Sequence, residues 1–464
     1  MGFTKQKKSL TEGPIFSRMF TYVLPIMMTG ILQLVYNLAD HIVVGQFSGD
    51  TTALAAVGST SSLSGLIINL FIGITSGTAV IVARNYGAKD HDALSREVHT
   101  SILFALIGGI AFSVIGLAIS KPALVLMGTK PEILNKAALY MQIICLGIPA
   151  TAVYNFGATI LRSVGDSKTP LYILSSSGLI NVILNLFFVI SCNMSVEGVA
   201  LATIISQYIS AVTVIFILSK RKSEPYALHF NLLKIDKKLL LLTLRYGVPA
   251  GVQSSLFGIS NVLITSATNT FTTVTISART ISMNIDGILY TALNSYLHAT
   301  TTFVAQNYGA GKPDRIKKSI FSAILQVLMV GISLQIILLT FSGQFASLFV
   351  GADDPNASAV VSTVKDILKV SVSIYFMCGI METLSGALRG LGYSLAPMVM
   401  SVAGICGFRI LWIFTAFKRP ELHSITGLYM CYPLSWTLTV IMLGLTLIIV
   451  WPKIKKRFNI NQKG

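Results

Sequence analysis

The sequence predicts an all-α polytopic membrane protein, with twelve transmembrane helices in two six-helix lobes related by a pseudo-twofold along the membrane normal. Three observations predict it. The 464 residues are 53% hydrophobic and 11% charged, with a mean hydropathy of +0.72, whereas a soluble domain carries about 25% charged residues. Apolar stretches reach ~20 residues or more, the length that crosses the hydrocarbon core as a helix with every backbone group satisfied internally. Two short motifs each occur twice, at matching places in the two halves of the chain. The ~10-residue alternating segments of a membrane barrel are absent.

The runs fall at 17–45, 52–83, 93–119, 133–160, 169–191, 196–219, 239–270, 274–305, 315–342, 360–388, 395–417 and 424–451. Lys5, Lys7 and Lys8 precede the first as they would a signal peptide, but the run continues to Val44 without a small-residue cleavage site and reads as a retained helix. It carries Pro25 and the polar stretch Y-N-L-A-D at 36–40. The second run ends at ARNYGAKDHDAL (83–94), which leads into the third. The fourth ends at ILRSVGDSKTP (160–170), and the fifth and sixth follow. A basic segment at 220–245 then opens the seventh, which carries Pro249. The eighth contains Asp286 and ends at AQNYGAGKPDRI (305–316). The ninth and tenth follow, the tenth ending at ALRGLGYSLAP (387–397), and the last two runs complete the chain.

An even number of crossings puts both termini on one side, and charge says which. Of the 35 lysines and arginines, 26 lie in the N-terminal arm, alternate turns, the central loop or the tail. Among them are Arg84, Lys89 and Arg96, Arg162 and Lys168, the run Lys220-Arg221-Lys222, Lys312 to Lys318, and Lys453 to Arg457 with Lys463. Loops rich in Lys and Arg stay in the cytoplasm, so both termini are cytoplasmic and the protein sits in the plasma (inner) membrane. The same one-sidedness accounts for the net charge of +17 and excludes nucleic acid as the partner. The five cysteines show no C-x-x-C or metal spacing and read as small core residues.

The motifs define a duplication. Asn85-Tyr86-Gly87-Ala88 matches Asn307-Tyr308-Gly309-Ala310. The second motif keeps Leu161/Leu388, Arg162/Arg389, Gly165/Gly392, Ser167/Ser394 and Pro170/Pro397, and Pro25 with Asn37 matches Pro249 with Asn261. The chain divides into a first lobe at 1–219, a basic linker at 220–238, and a second lobe with its tail at 239–464. Six crossings return the chain to its starting side, so the lobes are parallel repeats, and two such bundles enclose a central cavity suited to alternating access. Gly87 and Gly309 are expected to supply the backbone freedom that ends a helix.

The paired N-Y-G-A and L-R-x-x-G-x-S-x-x-P turns, Pro25 and Y-N-L-A-D resemble the multidrug and toxic compound extrusion (MATE) family over essentially the whole chain. The resemblance implies two six-helix lobes in a V, and export of varied, often cationic and amphipathic drug-like compounds driven by inward Na⁺ or H⁺. It also implies a first-lobe cation site at Asp40, Asn181, Asn185 and Thr203. Many relatives have a second carboxylate where Asn185 stands, so the choice between Na⁺ and H⁺ is open. No cofactor beyond the ion is expected, the partners are drug-like small molecules and membrane lipid, and the chain is read as a monomer.

The residues support this independently. Asp40, Asp286 and Glu382 fall inside apolar runs, with Asp366 nearer an outer end. A mid-membrane carboxylate costs about 2.5–3.5 kcal/mol on insertion scales and is a functional candidate by default. Helical spacing puts Gln33, Tyr36 and Asn37 on the face of Asp40. Asn181 and Asn185 stack at i, i+4, as do Thr203 and Gln207. A carboxylate, amide oxygens and a hydroxyl suit Na⁺, a hard cation, and the same carboxylate can instead carry a proton. Hydrogen bonding between helices is the structural use of such groups. The repeat places Ile264, Phe408 and Trp412 opposite Asp40, Asn181 and Asn185, so ion coupling is expected in the first lobe alone.

Asp286, Tyr290, Asn294 and His298 run at steps of four along the eighth helix, and Glu382, which the repeat sets against Asn155, lies on the tenth. These are candidates for the substrate cavity, with Asp286 and Glu382 attracting cationic substrate. Arg409 either snorkels or pairs with an acid. A membrane enzyme needs converging nucleophile, base or metal ligands, and the six histidines form no H-E-x-x-H. No Walker A loop is present, and a passive channel does not require the duplication. A lipid-linked-sugar flippase of the same architecture would favour a basic cavity, whereas the mid-membrane charges read as mainly acidic.

Overall fold

A computed structural model of the chain describes residues 9–47, 50, 52–350 and 355–461, and the regular structure among them is helical throughout. Lys5, Lys7, Lys8 and Lys463 lie outside the described residues. Twelve rods follow in order: α1 Ile15–Phe47, α2 Ala53–Ala88, α3 His91–Leu126, α4 as the bent pair Pro131–Leu146 and Ile148–Ser163, α5 Lys168–Ser191, and α6 Val196–Lys220. After the connector come α7 Lys237–Thr268, α8 Thr273–Gly309, α9 Pro313–Thr340, α10 as the bent pair Ala357–Ser371 and Phe376–Gly390, α11 Leu395–Lys418, and α12 Ile425–Phe458. Each predicted run falls on one rod. Nine described helices are long and apolar enough to cross a membrane singly, and the two pairs bent by 45° bring the number to eleven. The twelfth, α8, has the length at 37 residues but carries too many polar groups to stand out by hydropathy.

The bends have local causes. In α4 the break falls at Gly147, and Pro149 follows at the start of the second part, where its missing N–H costs no helical bond. In α10 the broken turn leaves the carbonyl of Val372 with a three-residue bond from the Tyr375 amide, and it accepts from Gln335 of α9 as well. Single π-helical stretches close α5 at Phe187–Ser191 and interrupt α11 at Val402–Gly407.

Packing divides the chain into two compact units, Leu24–Gly251 and Leu10–Val23 with Val252 onward. α1 and α7 therefore each pass from one unit into the other, with Pro25 and Pro249 within two or three residues of the crossing. The first unit's core includes Leu94, Val98, Met141, Phe156, Leu161 and Leu218, drawn from α3, α4 and α6. The connector at 221–236 is part of this unit. Tyr226, Ala227 and Leu228 are buried, Arg221 is paired to Asp166 at 2.8 Å, and the His229 amide donates to His99 Nε2 at 2.9 Å. The first part of α7 lies against α2 almost backbone to backbone. A Cβ on Gly73 would stand 2.1 Å from Gly251 Cα, and one on Gly77 would stand 2.0 Å from the Thr243 carbonyl oxygen.

The four repeated turns close alike. In each, one amide donates three residues back and the next donates five back: Lys89 and Asp90, Gly165 and Asp166, Gly311 and Lys312, Gly392 and Tyr393. The residue in the left-handed region is Gly165 (φ 96°) and Gly392 (φ 89°) in one motif, but Lys89 (φ 57°) and Gly311 (φ 69°) in the other. Gly87 and Gly309 are helical, which corrects the expectation that they supply the backbone freedom that ends α2 and α8: the left-handed residue stands two positions on, at Lys89 and Gly311. The tyrosines of the N-Y-G-A turns instead act as docking points. Tyr86 meets Tyr226 of the connector edge to face at 6.4 Å, and Tyr308 meets Phe458 at the end of α12 at 5.2 Å.

Candidate functional site

Three helices of the first unit bring Asp40, Asn181, Asn185 and Thr203 together. The i, i+4 spacing on α5 stacks the two asparagines, and Asn185 Nδ2 donates both to Asp40 Oδ1 of α1 and to Asn181 Oδ1, the latter at 3.3 Å. Asn181 Nδ2 reaches Thr203 Oγ1 of α6 at 3.5 Å, and the Thr203 hydroxyl also lies within hydrogen-bonding reach of Asp40. Thr203 itself donates to the Val199 carbonyl at 2.9 Å. Asn185 is 0% exposed, yet among the described residues its Oδ1 has no hydrogen-bond partner, and neither has Gln207 Oε1 one turn beyond Thr203. A buried carbonyl oxygen left bare costs about 1–3 kcal/mol. The cluster thus offers one carboxylate and neutral oxygens with unused lone pairs, a donor set that fits a hard monovalent cation. Among the described residues no group of three His, Cys, Asp or Glu side chains gathers that would hold a more highly charged metal.

Tyr36 is half-buried and donates to the Ser175 carbonyl at 3.2 Å. Its ring occupies the space where Gly178 lacks a Cβ, which would otherwise fall 1.9 Å from the ring. Asn37 and Gln33 share the predicted face but are exposed, so burial in this cluster selects Asp40 and Tyr36 from the stripe. Tyr140 of α4, which the sequence reading did not single out, is within electrostatic reach of Asp40. Nothing in the sequence marks it, because it stands a hundred residues away on another helix.

The matching place in the second unit is apolar. Ile264 is packed with Phe417, Leu428 and Cys431, Trp412 lies against them, and Phe408 stacks on Trp412 at 6.0 Å. The predicted polar line sits elsewhere in that unit. Asn294 Nδ2 donates to the Tyr290 hydroxyl at 3.4 Å, and Asn294 is also within hydrogen-bonding reach of Glu382, which is 3% exposed. Tyr290 is 39% exposed, and Asp286 and His298 are half-buried. Asn155, in the first unit, turns its amide onto its own helix, donating to the Thr151 carbonyl at 2.8 Å.

The second unit also buries three arginines. Arg389 donates to Gln253 Oε1 at 2.7 Å and exerts its charge on Glu382, two turns back on α10. Arg279 exerts its charge on Asp286, two turns on along α8, and its Nε and Nη2 are buried without hydrogen-bond partners among the described residues. Arg409 neither snorkels nor pairs with an acid. Its guanidinium lies 4.0 Å from the Tyr432 ring centroid, and it donates at 3.3 Å to both Ser435 Oγ and Asn261 Oδ1. Basic as well as acidic side chains are therefore buried in this unit. Arg389 had been counted with its turn, and Arg279 lies one turn inside a run end, so neither stood out as a buried cation.

A family model described as MatE matches residues 25–187 and again 249–415, one match in each half. The probable multidrug resistance protein YoeA of Bacillus subtilis is 30% identical over 97% of this chain and 96% of its own. The probable multidrug resistance protein YpnP of the same organism is 25% identical over 84% of this chain and 86% of its own. A crystal structure of MATE in complex with MaL6 superposes with a TM-score of 0.89 at 20% identity, covering 98% of this chain and all of that one.

Proposed function

Because this chain belongs to the MatE family, we propose that it is a secondary active antiporter, exporting small cationic or amphipathic compounds in exchange for Na⁺ or H⁺ by alternating access. The chain is a multi-pass membrane protein, and we place both termini in the cytoplasm and the protein in the plasma membrane. It works as a carrier, with no covalent step on its substrate. The relatives described as multidrug resistance proteins support the substrate class.

The observation that carries the coupling is the bare Asn185 Oδ1 beside the Asp40 carboxylate in a buried cluster that the second half does not repeat. A cation at that place would use the lone pairs the protein leaves unused, and a proton on Asp40 would cancel the charge that Asn185 now solvates. Binding either one changes the charge held between α1, α5 and α6, which is how an ion gradient would act on α1. Asp286, Tyr290, Asn294, His298 and Glu382 remain the substrate-facing candidates. The three buried arginines favour a second reading, a flippase for an anionic lipid-linked sugar, but Arg389 and Arg409 are already engaged by Gln253, Asn261, Ser435 and Tyr432.

The test uses purified protein in liposomes loaded with a fluorescent cation, first under a Na⁺ gradient alone and then under a pH gradient alone. One gradient drives efflux, and Asp40→Asn abolishes that efflux while the protein still inserts and folds. Undiminished gradient-driven efflux by the Asp40→Asn protein refutes the coupling role.

A further inference from the structure

Glu97 on α3 is 0% exposed, and no mechanism described above uses it. Its Oε1 accepts from Ser101 Oγ at 2.9 Å and from Thr243 Oγ1 of α7 at 2.9 Å. Ser101 in turn shares a 2.9 Å hydrogen bond with Thr78 of α2. The carboxyl thus joins three helices where α7 lies on α2 at its closest, since the carbonyl of Thr243 is the one that Gly77 makes room for. Its other oxygen, Oε2, is buried and has no hydrogen-bond partner among the described residues.

That distribution is informative. An ionised carboxylate is an acceptor at both oxygens, whereas a protonated one accepts at its carbonyl and donates from its hydroxyl. Here one oxygen takes both donors and the other takes none. No lysine or arginine among the described residues forms an ion pair with it, and Arg96, Lys136 and Arg221 are paired elsewhere, to Asp236, Asp50 and Asp166. A buried anion held by two neutral hydroxyls alone is a costly arrangement.

The charged and titratable neighbours are accounted for on each element. Asp236, ahead of α7, exerts a like charge on Glu97 and is itself bonded to Arg96 at 3.0 Å. His99 is turned to the Ser95 carbonyl and the His229 amide. Arg84 on α2, Lys237, Lys238 and Arg245 on α7, and Tyr154 and Arg162 on α4 make no ion pair or hydrogen bond with it. The repeat supplies an internal comparison. The N-Y-G-A register sets Glu97 against Ser319 of α9, and the proline register sets Thr243 against Met19 of α1, so the second half carries no acid at this place.

We propose that Glu97 binds a monovalent cation, H⁺ or Na⁺, at its free Oε2, and that occupancy holds the first part of α7 on α2 and α3. The site is separate from Asp40 and does not rest on the coupling role given to that residue. With the cation bound, the site has no net charge and Oε1 accepts from Thr243 without an unbalanced buried charge. With it removed, the anion draws in water, and the seam with α7 opens to admit it.

Two measurements on the full chain in lipid nanodiscs test this. Infrared difference spectra of wild type against Glu97→Gln at neutral pH without Na⁺ are expected to contain the C=O stretch of a protonated carboxyl. Added Na⁺ at constant pH either leaves that band, identifying H⁺ as the occupant, or replaces it with a carboxylate band, identifying Na⁺. A difference spectrum holding only an ionised carboxylate, insensitive to Na⁺, overturns the proposal. Hydrogen exchange of residues 239–250 in the wild type, which needs no variant, is expected to speed up at least several-fold at high pH without Na⁺, relative to residues 253–260. In Glu97→Gln, whose amide stays neutral, that response is absent. Equal exchange of the two segments in the wild type under all conditions also overturns the proposal.

Discussion

Replacing Gly73 by alanine tests the close seam between α2 and α7. The added methyl carbon would stand 2.1 Å from Gly251 Cα, 2.3 Å from Gly251 N and 2.9 Å from the Ala250 carbonyl carbon. All three are backbone atoms, so no side chain can rotate away, and reaching an ordinary 3.4 Å contact requires the helices to part by about 1.3 Å. Overpacking of this kind costs about 1–3 kcal/mol, and the weak Cα–H···O contacts of a close helix pair forfeit about 0.5–1 kcal/mol each. Against this stands a gain of about 1 kcal/mol in helix propensity for Gly→Ala. The net is a loss of about 1–2 kcal/mol, read as a fall of several degrees in apparent Tm, at about 2–4 °C per kcal/mol for a unit of this size. Gly58, on the same helix, is the control, because a Cβ there meets nothing within 4 Å. Gly58→Ala should therefore keep only the propensity gain. Both proteins are heated in detergent at one scan rate, since unfolding of such a protein is kinetically controlled. If Gly73→Ala is as stable as Gly58→Ala, the two helices do not approach as described.

Other consequences follow from single contacts. Asn185→Ala removes the donor to Asp40 and the bare oxygen together, so gradient-driven efflux should need at least tenfold more coupling ion for half-maximal rate; an unchanged ion dependence in proteoliposomes excludes Asn185 from the site. Arg409→Lys keeps the charge but loses the fork to Ser435 and Asn261 and the stacking on Tyr432, a loss of about 1–3 kcal/mol visible as a lower apparent Tm. Asp50 accepts from Lys136 Nζ at 2.6 Å, from the Thr52 hydroxyl and from Ser195, and the Lys136 ammonium, foremost among these, holds its carboxyl well below the usual carboxylate range. A depressed folded-state value means that the stabilisation is fully present above the unfolded carboxylate's value of about 3.9 and fades as pH falls below it. Asp50→Asn should thus be less stable than wild type at pH 7, with the gap shrinking steadily as pH falls below about 3.9 and closing only beneath the depressed folded-state value, and narrowed by salt at neutral pH because Lys136 is 42% exposed. A gap that persists at low pH would assign the effect to something other than this ion pair.

The order of helices was legible because lipid imposes one length and one composition on every crossing, and the duplicated turns supplied a register that hydropathy alone does not. α8 shows the difference: its polar residues dilute its hydropathy, and the match of its closing N-Y-G-A to that of α2 secures it. Within the candidate site, Asn181 and Asn185 were legible because a single helix spaces them. Asp40 was legible because an acid in a run is costly wherever it points. Asn37 shares the Asp40 face by spacing yet is exposed, because a helical wheel gives an angle but not which neighbouring helix comes near at that height. Tyr140, Arg279 and the Thr243 hydroxyl on Glu97 were illegible for the same reason, since each depends on a partner from a distant part of the chain. The left-handed Lys89 was hidden for a local reason. Its counterpart is Gly311, and the hydrogen bonds of the turn fix that backbone shape whichever residue stands there.

The connector between the halves bears on how this protein can be cut, tagged or split. A basic interdomain loop is the customary place for a protease site or a fluorescent fusion, yet tolerance follows burial and hydrogen bonding rather than position along the chain. Lys222, Ser223 and Glu224 are exposed, whereas Tyr226, Ala227 and Leu228, two to four residues on, are interior residues, with Tyr226 set against Tyr86. An insertion at Ser223 lengthens a surface turn. The same insertion at Ala227 pulls a plug from the first unit, and a reporter placed there would register its own damage instead of transport.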